Sequence, residues 1–175
     1  MPVLIIGMEY VLDKEDQDLA IHIAKIRVSA AKMHGHTFRP FNDDTPMEVN
    51  VEGAAGEIAF CRLVGMEPDT STPEANRSSM QGRDKKDLIY HGNRIDIKTT
   101  WAYHLCDKPV PVEYLPDYYV MMRGYWPQYQ FMGAISGLDF KKKCHRMKQF
   151  RNEMYGVGME ELSAEILCKA GCVHA

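Results

Sequence analysis

Apolar residues recur along the chain with two different periods, and the changes of period divide it into helical and extended stretches. Leu19, Ile23, Ile26, Ala30 and Met33 stand three or four apart behind Asp13 and Asp16, which predicts one face of a helix that starts at Asp13 and stops at Gly35. A polar, proline-bounded loop follows over 36–46. A second helix is predicted from near Asn50 to Val64, with Gly65 as its stop. Between Gly65 and Lys86 no period persists and Pro, Ser, Thr, Asn and Gly accumulate, so a long loop is expected.

Extended segments come next. Lys86 to His91 and Arg94 to Thr100 are β-rich runs separated by Gly92-Asn93, a pair suited to a two-residue hairpin turn. Asp117 to Arg123 (DYYVMMR) and Tyr129 to Ser136 (YQFMGAIS) form a second pair of strand-like runs joined by GYWPQ. The stretch 101–116 is rich in proline and resists assignment. Phe140 to Tyr155 reads as a basic helix and Met159 to Ala170 as a last short one, with Gly171 beyond its end. The expected fold is α/β: a central mixed β-sheet of about four or five strands flanked by helices, forming one domain over 1–175 with its core in about 50–136.

Composition narrows the class. With 175 residues, 45% of them apolar and 26% charged, the chain can bury a real core and is neither disordered nor collagen-like. A formal charge of -3 gives no global attraction to a polyanion, so binding to nucleic acid must come from a local basic patch. No run of about 18 apolar residues and no basic, small-residue leader is present, so a cytoplasmic location and no membrane partner are expected. Five cysteines without a C-x-x-C pair are expected to be reduced thiols.

The candidate chemistry lies in the first hairpin. Side chains alternate along a strand, so Asp96 and Lys98 share one face while Ile95 and Ile97 turn to the core. With Gly92-Asn93 as the turn, His91 pairs with Arg94, Ile89 with Asp96 and Asp87 with Lys98, which brings Asp87, Asp96 and Lys98 to one face. Two carboxylates roughly 5 to 8 Å apart repel unless a cation sits between them. Mg²⁺ suits that position, because it takes oxygen ligands, keeps several waters and is completed by substrate phosphate oxygens; Mn²⁺ is expected to substitute. The Lys98 ammonium beside such an ion can polarise the attacking water and stabilise charge on a phosphate. In the second helix, VEGAAGEIAFCRLV places Gly53, Ala54, Ala55 and Gly56 where small residues allow close approach to a sheet. Glu57 follows that patch, and a neighbouring metal would offset the cost of burying its carboxylate.

Asp87 followed by Asp96-Ile97-Lys98, with a preceding helix carrying GAAGEIAF, resembles the PD-(D/E)xK nuclease superfamily. The order of elements over 51–136 resembles that family's core as well. The resemblance implies a restriction-endonuclease-like core and an Mg²⁺-dependent nuclease that cuts DNA. It implies further that Asp87, Asp96 and the carbonyl of Ile97 bind the metal, that Glu57 acts on it directly or through water, and that Lys98 serves the nucleophile. Lys86 stands where the family's motif has its proline, and GYWPQ is too short for a helix between later core strands. A homodimer is compatible with this reading.

For DNA contact, the candidates are Arg83, Lys85, Lys86 and Arg94 near the site, and Lys141, Lys142, Lys143 and Arg146 on the basic helix. The plain alternative for the second group is a solvated helix face, and for lysines flanking an edge strand, protection against aggregation. Trp101, Tyr103, Tyr125 and Trp126 could stack on bases or simply pack at a rim. Two rival functions use the same residues differently. A non-catalytic nucleic-acid-binding module would leave Asp87, Asp96 and Lys98 without a role. A small zinc-stapled interaction protein would instead use Cys144, His145, Cys168, Cys172 and His174, whose spacing fits no common zinc pattern.

Overall fold

A computed structural model of the chain describes residues 4–33, 45–70, 88–148 and 153–167. The elements in chain order are β1 (Glu9–Val11), α1 (Lys14–Met33), α2 (Pro46–Val64), β2 (Leu88–Tyr90), β3 (Asn93–Thr100), β4 (His104–Asp107), β5 (Tyr118–Tyr125), β6 (Gln128–Ser136), α3 (Gly137–Lys143), β7 (His145–Arg146) and β8 (Tyr155–Gly158). Short 3-10 turns lie at Val112–Tyr114 and Met159–Glu161.

Both long helices begin at side-chain caps. The Asp13 carboxylate accepts the Asp16 N–H at 2.9 Å, and Glu15 and Asp16 place negative charge at the positive end of α1. At α2 the Thr45 hydroxyl accepts the Glu48 N–H and the Glu48 carboxylate accepts the Thr45 N–H, with Pro46 in the first turn. This reciprocal cap starts α2 at Pro46, ahead of the Asn50 predicted from apolar spacing. Gly65 ends it in the left-handed conformation, φ 72°.

The protein is α/β, with a mixed five-stranded sheet in the order β1-β6-β5-β3-β2 and a small second sheet, β4-β8-β7. The β3–β5 pair is parallel, while β1–β6, β5–β6 and β2–β3 are antiparallel. One face of the large sheet, with Ile95, Val120, Met122 and Phe131, packs on Ala54, Ala55, Ile58 and Ala59 of α2 and Ala20 and Ile23 of α1. The opposite face, with Tyr119, Met121, Met132 and Ile135, packs on Leu105, Leu115, Phe140 and Val157 from the crossover, α3 and the small sheet. Strand β5 is thus covered on both sides, which accounts for its unbroken apolar run rather than an alternating one.

Three predictions are corrected. The hairpin turn is His91-Gly92, with φ of 49° and 78°, so Tyr90 pairs with Asn93, Ile89 with Arg94 and Leu88 with Ile95. A two-residue turn of this kind needs positive φ at both positions; histidine tolerates it better than β-branched residues, and Asn93 instead begins the strand. Ile89 therefore does not face Asp96 across the ladder.

The basic helix stops at Lys143, because the chain beyond it turns extended and His145 and Arg146 pair with Gly156 and Tyr155. A sheet ladder formed with residues distant in sequence overrides local helix propensity there. The last helix is replaced at its start by the Met159–Glu161 turn and by a backbone bridge between Ser163 and Ala134, with N–H to carbonyl distances of 2.9 and 3.0 Å. The unassigned stretch 101–116 holds β4, which pairs with β8. Among the described residues no helix is long and apolar enough to cross a membrane.

Candidate active site

The alternation expected along β3 is present. Ile95 is buried against the helices, and Asp96 and Lys98 point to the other face, where the parallel register sets them beside Tyr119 and Met121 of β5. Lys98 Nζ lies 2.9 Å from Asp96 Oδ2 and 3.3 Å from Asp107 Oδ1, so the ammonium is held between two carboxylates from β3 and β4. The Tyr119 hydroxyl donates to the other oxygen of Asp107 at 2.9 Å. The Tyr119 ring lies under the ammonium, 5.8 Å from Nζ to its centroid. Burial works to lower the pKa of Lys98, but the charges and hydrogen bonds of Asp96 and Asp107 outweigh it and hold the pKa above its ordinary value. Lys98 is a cation at neutral pH. In that form it can donate hydrogen bonds and stabilise anionic charge.

Glu57 lies on the opposite side of the sheet from the Asp96 and Lys98 side chains. Gly56 lies against the Thr99 side chain so closely that a Cβ there would overlap it, which fixes α2 on β3. The next residue, Glu57, is gripped by Arg27 of α1, Nη1 to Oε1 at 3.0 Å and Nη2 to Oε2 at 2.6 Å. Glu57, Asp69 and Asp96 line one small cavity of about 80 Å³ together with Cys61 and Ile97. Burial, reinforced by the Glu57 charge, pushes the Cys61 thiol up to about 12, so this cysteine is a packed thiol and not a nucleophile.

The orientation of the Ile97 carbonyl follows from the ladder. Arg94 turns its carbonyl to β5, where it accepts the Asp117 N–H at 3.0 Å, so by alternation Ile95 and Ile97 turn theirs to the β2 side. The described pairing on that side ends at Leu88 and Ile95, one residue before Asp96. The Asp96 carboxylate lies with Lys98 and Asp107 on one face of β3 and Glu57 lies on the helix side, so oxygen donors are present on both faces of the strand, with the Ile97 carbonyl in the plane of the sheet. That donor chemistry suits a hard divalent cation, which needs only one or two carboxylates when substrate and water complete its shell. Among the described residues no three His, Cys, Asp or Glu gather as a ready-made metal cage.

Other predicted residues have different positions. Asp87, Arg83, Lys85 and Lys86 lie outside the described residues, as do Cys168, Cys172 and His174. The guanidinium of Arg94 bonds the Leu115 carbonyl and its backbone N–H donates to Asp117 at 2.7 Å, so this side chain braces the crossover. Lys142 and Lys143 face Asp139 at 3.8 Å and Glu161 at 2.5 Å, and Lys141 reaches the Val110 carbonyl at 3.4 Å. Arg146 is exposed on β7 rather than continuing a helical stripe. Asp107 and Tyr119 were not anticipated as partners of Lys98. The pairing of Tyr119 with Asp96 was within reach of a parallel register, whereas Asp107 sits in the stretch that carries no period.

Comparison with family models, with curated proteins and with solved structures found no match.

Proposed function

We propose that the chain is an Mg²⁺-dependent nuclease that hydrolyses phosphodiester bonds of DNA, built on a restriction-endonuclease-like core of the PD-(D/E)xK kind. The observation that carries this reading is the Asp96–Lys98 pair, a carboxylate and a cation 2.9 Å apart on one strand face, with Asp107 on the other side of the cation. The succession of α2, the β2–β3 hairpin and β5 parallel to β3 supports it. So does the sequence position of Asp87, directly before Leu88, whose partner Ile95 directly precedes Asp96.

In this reading Asp87, Asp96 and the Ile97 carbonyl hold the metal, with Glu57 contributing negative charge from the cavity wall. When bound, Mg²⁺ supplies neutralisation of the phosphate and a more acidic water. Lys98, kept charged by Asp96 and Asp107, donates to the nucleophilic water and stabilises the negative charge that builds on the phosphate. Asp107 and Tyr119 hold the ammonium in place. The exposed cations Arg146 and Lys142 provide backbone contact to the polyanion.

The test is cleavage of linear, circular, single-stranded and branched DNA by wild type and Asp96→Ala, with Mg²⁺ and with chelator. Cleavage that needs Mg²⁺ and vanishes in Asp96→Ala supports the assignment. Chelator-resistant cleavage, or full activity in the variant, removes it.

A further inference from the structure

Both tryptophans of the chain line one surface groove of about 400 Å³ at the ends of β3 and β5, together with Arg123 and Tyr125. Trp101, Tyr103 and Tyr125 are 57%, 61% and 65% exposed. Single exposed aromatics are ordinary on a surface, but Trp101 and Tyr125 on the groove wall, with Tyr103 beside it against the Arg123 guanidinium, form a patch of the kind that marks an interaction site.

The groove is not purely apolar. Arg123 donates from Nε to the Trp101 carbonyl at 3.3 Å, and its guanidinium lies 4.1 Å from the Tyr103 ring centroid. These contacts fix the plane of the guanidinium and use Nε, leaving the two Nη groups as donors toward an anion. The acid of the groove, Glu9, accepts from the amides of Gln128 and Gln130 at 2.9 and 3.4 Å, which disperses its charge. Flat π faces beside a fixed cation match the chemistry of a polynucleotide whose bases are unpaired; a duplex would hide the base faces that these rings address.

The groove also aligns with the candidate site. The parallel register pairs Asp96 with Tyr119, Lys98 with Met121 and Thr100 with Arg123, so Arg123 shares the sheet face of Asp96 and Lys98. It lies four residues further along β5 than Tyr119, about 13 Å at about 3.3 Å per residue.

We propose that this groove binds single-stranded DNA, stacking unpaired bases on Trp101, Tyr103 and Tyr125 while Arg123 holds a phosphate, and so delivers a single-stranded flank to Asp96 and Lys98. The choice of DNA rests on the nuclease reading; the stacking surface does not.

Titration of the full chain with oligo-dT of about 12 nucleotides, in chelator, followed by tryptophan fluorescence, tests binding apart from hydrolysis. Oligo-dT is expected to quench fluorescence and bind more tightly than a duplex of the same length. Trp101→Ala and Tyr125→Ala should each weaken it about tenfold, with unchanged circular dichroism. Equal affinity for duplex, unchanged affinity in both variants, or tighter binding of oligo-U than oligo-dT would overturn the proposal. So would self-association in sedimentation that Trp101→Ala abolishes while oligo-dT binding stays unaffected. Failure of the nuclease reading looks different: oligo-dT still binds through Trp101, and no Mg²⁺-dependent cleavage is seen.

Discussion

Arg27 on α1 closes on both carboxylate oxygens of Glu57 on α2, at 3.0 and 2.6 Å, while Glu57 also lines the cavity that Asp96 borders. The same carboxylate therefore ties two helices together at the cavity wall. Side chains of the pair are 31% and 37% exposed, so solvent screening keeps its contribution to stability small.

Glu57→Gln is accordingly expected to lower stability by no more than about 1 kcal/mol. The lost negative charge should weaken Mg²⁺ binding several-fold and slow cleavage. Calorimetric Mg²⁺ titration of wild type and variant, with urea unfolding of both, separates the effects. Unchanged metal affinity with reduced stability would make Glu57 a purely structural partner of Arg27.

Lys98→Ala should abolish cleavage and also destabilise the fold by on the order of 1 to 3 kcal/mol, because it leaves Asp96 and Asp107 facing each other without the cation between them. The strand alternation alone predicts a change confined to the site; the clasp by Asp107 extends it to stability. Lys98→Arg keeps the charge and should recover much of the stability without the rate, since a planar guanidinium does not present its donors as an ammonium does. Turnover and denaturant midpoints on the same preparations decide this. Full activity in Lys98→Arg would show that only the charge matters.

The two long helices and the three longest strands were legible in the sequence, α1 and β3 through their apolar period and β5 and β6 as runs of β-prone residues. Leu19, Ile23 and Ile26 announce α1, and Ile95 and Ile97 announce the buried face of β3. What was not legible depends on partners far along the chain. β4 and β7 are short and exist by pairing with β8, so Asp107 could not be placed near Lys98 from its neighbours. The hairpin turn is displaced by one residue because His91-Gly92 and Gly92-Asn93 are both workable turns; each partner then moves by two along β2, as from His91 to Ile89 opposite Arg94, and the face of β2 that opposes β3 is kept. The start of α2 was in fact written as Thr45-Pro46-Met47-Glu48, a capping box that precedes the apolar period.

Alkaline pH should weaken the fold through Tyr10. Burial, and then its 2.7 Å hydrogen bond to the buried Asp16, push its pKa from 10.0 up to about 12. A raised folded-state pKa means that the stabilisation is complete below the unfolded value of 10.0 and is lost as pH climbs toward about 12. Lys98, also raised, acts in the same direction above its ordinary value. Tyr10→Phe is expected to start less stable at neutral pH and to lose less stability than wild type between pH 10 and 12. Urea midpoints across that range test it, and parallel declines in both proteins would assign the alkaline loss elsewhere.

Gly53 and Gly56 lie on the same helix and should respond oppositely to alanine. Nothing approaches within 4 Å of a Cβ built on Gly53, so Gly53→Ala restores helix propensity at no steric cost and should stabilise by about 0.5 to 1 kcal/mol. At Gly56 a Cβ would run into Oγ1, Cγ2 and Cβ of Thr99, a side chain on the central part of the sheet. Gly56→Ala must therefore lift α2 from β3 or twist Thr99 from its rotamer, and overpacking of this kind costs about 1 to 3 kcal/mol, more than the propensity gain. The displacement also carries Glu57, the next residue, away from the cavity that Asp96 lines. Mg²⁺ affinity should then fall in Gly56→Ala and hold in Gly53→Ala. Thr99→Ser relieves part of the overlap by removing Cγ2, so the double variant Gly56→Ala with Thr99→Ser should recover stability beyond the sum of the two single changes. Thermal melts of the four proteins give that coupling directly, and additive effects would mean that Gly56 and Thr99 do not set the distance between helix and sheet.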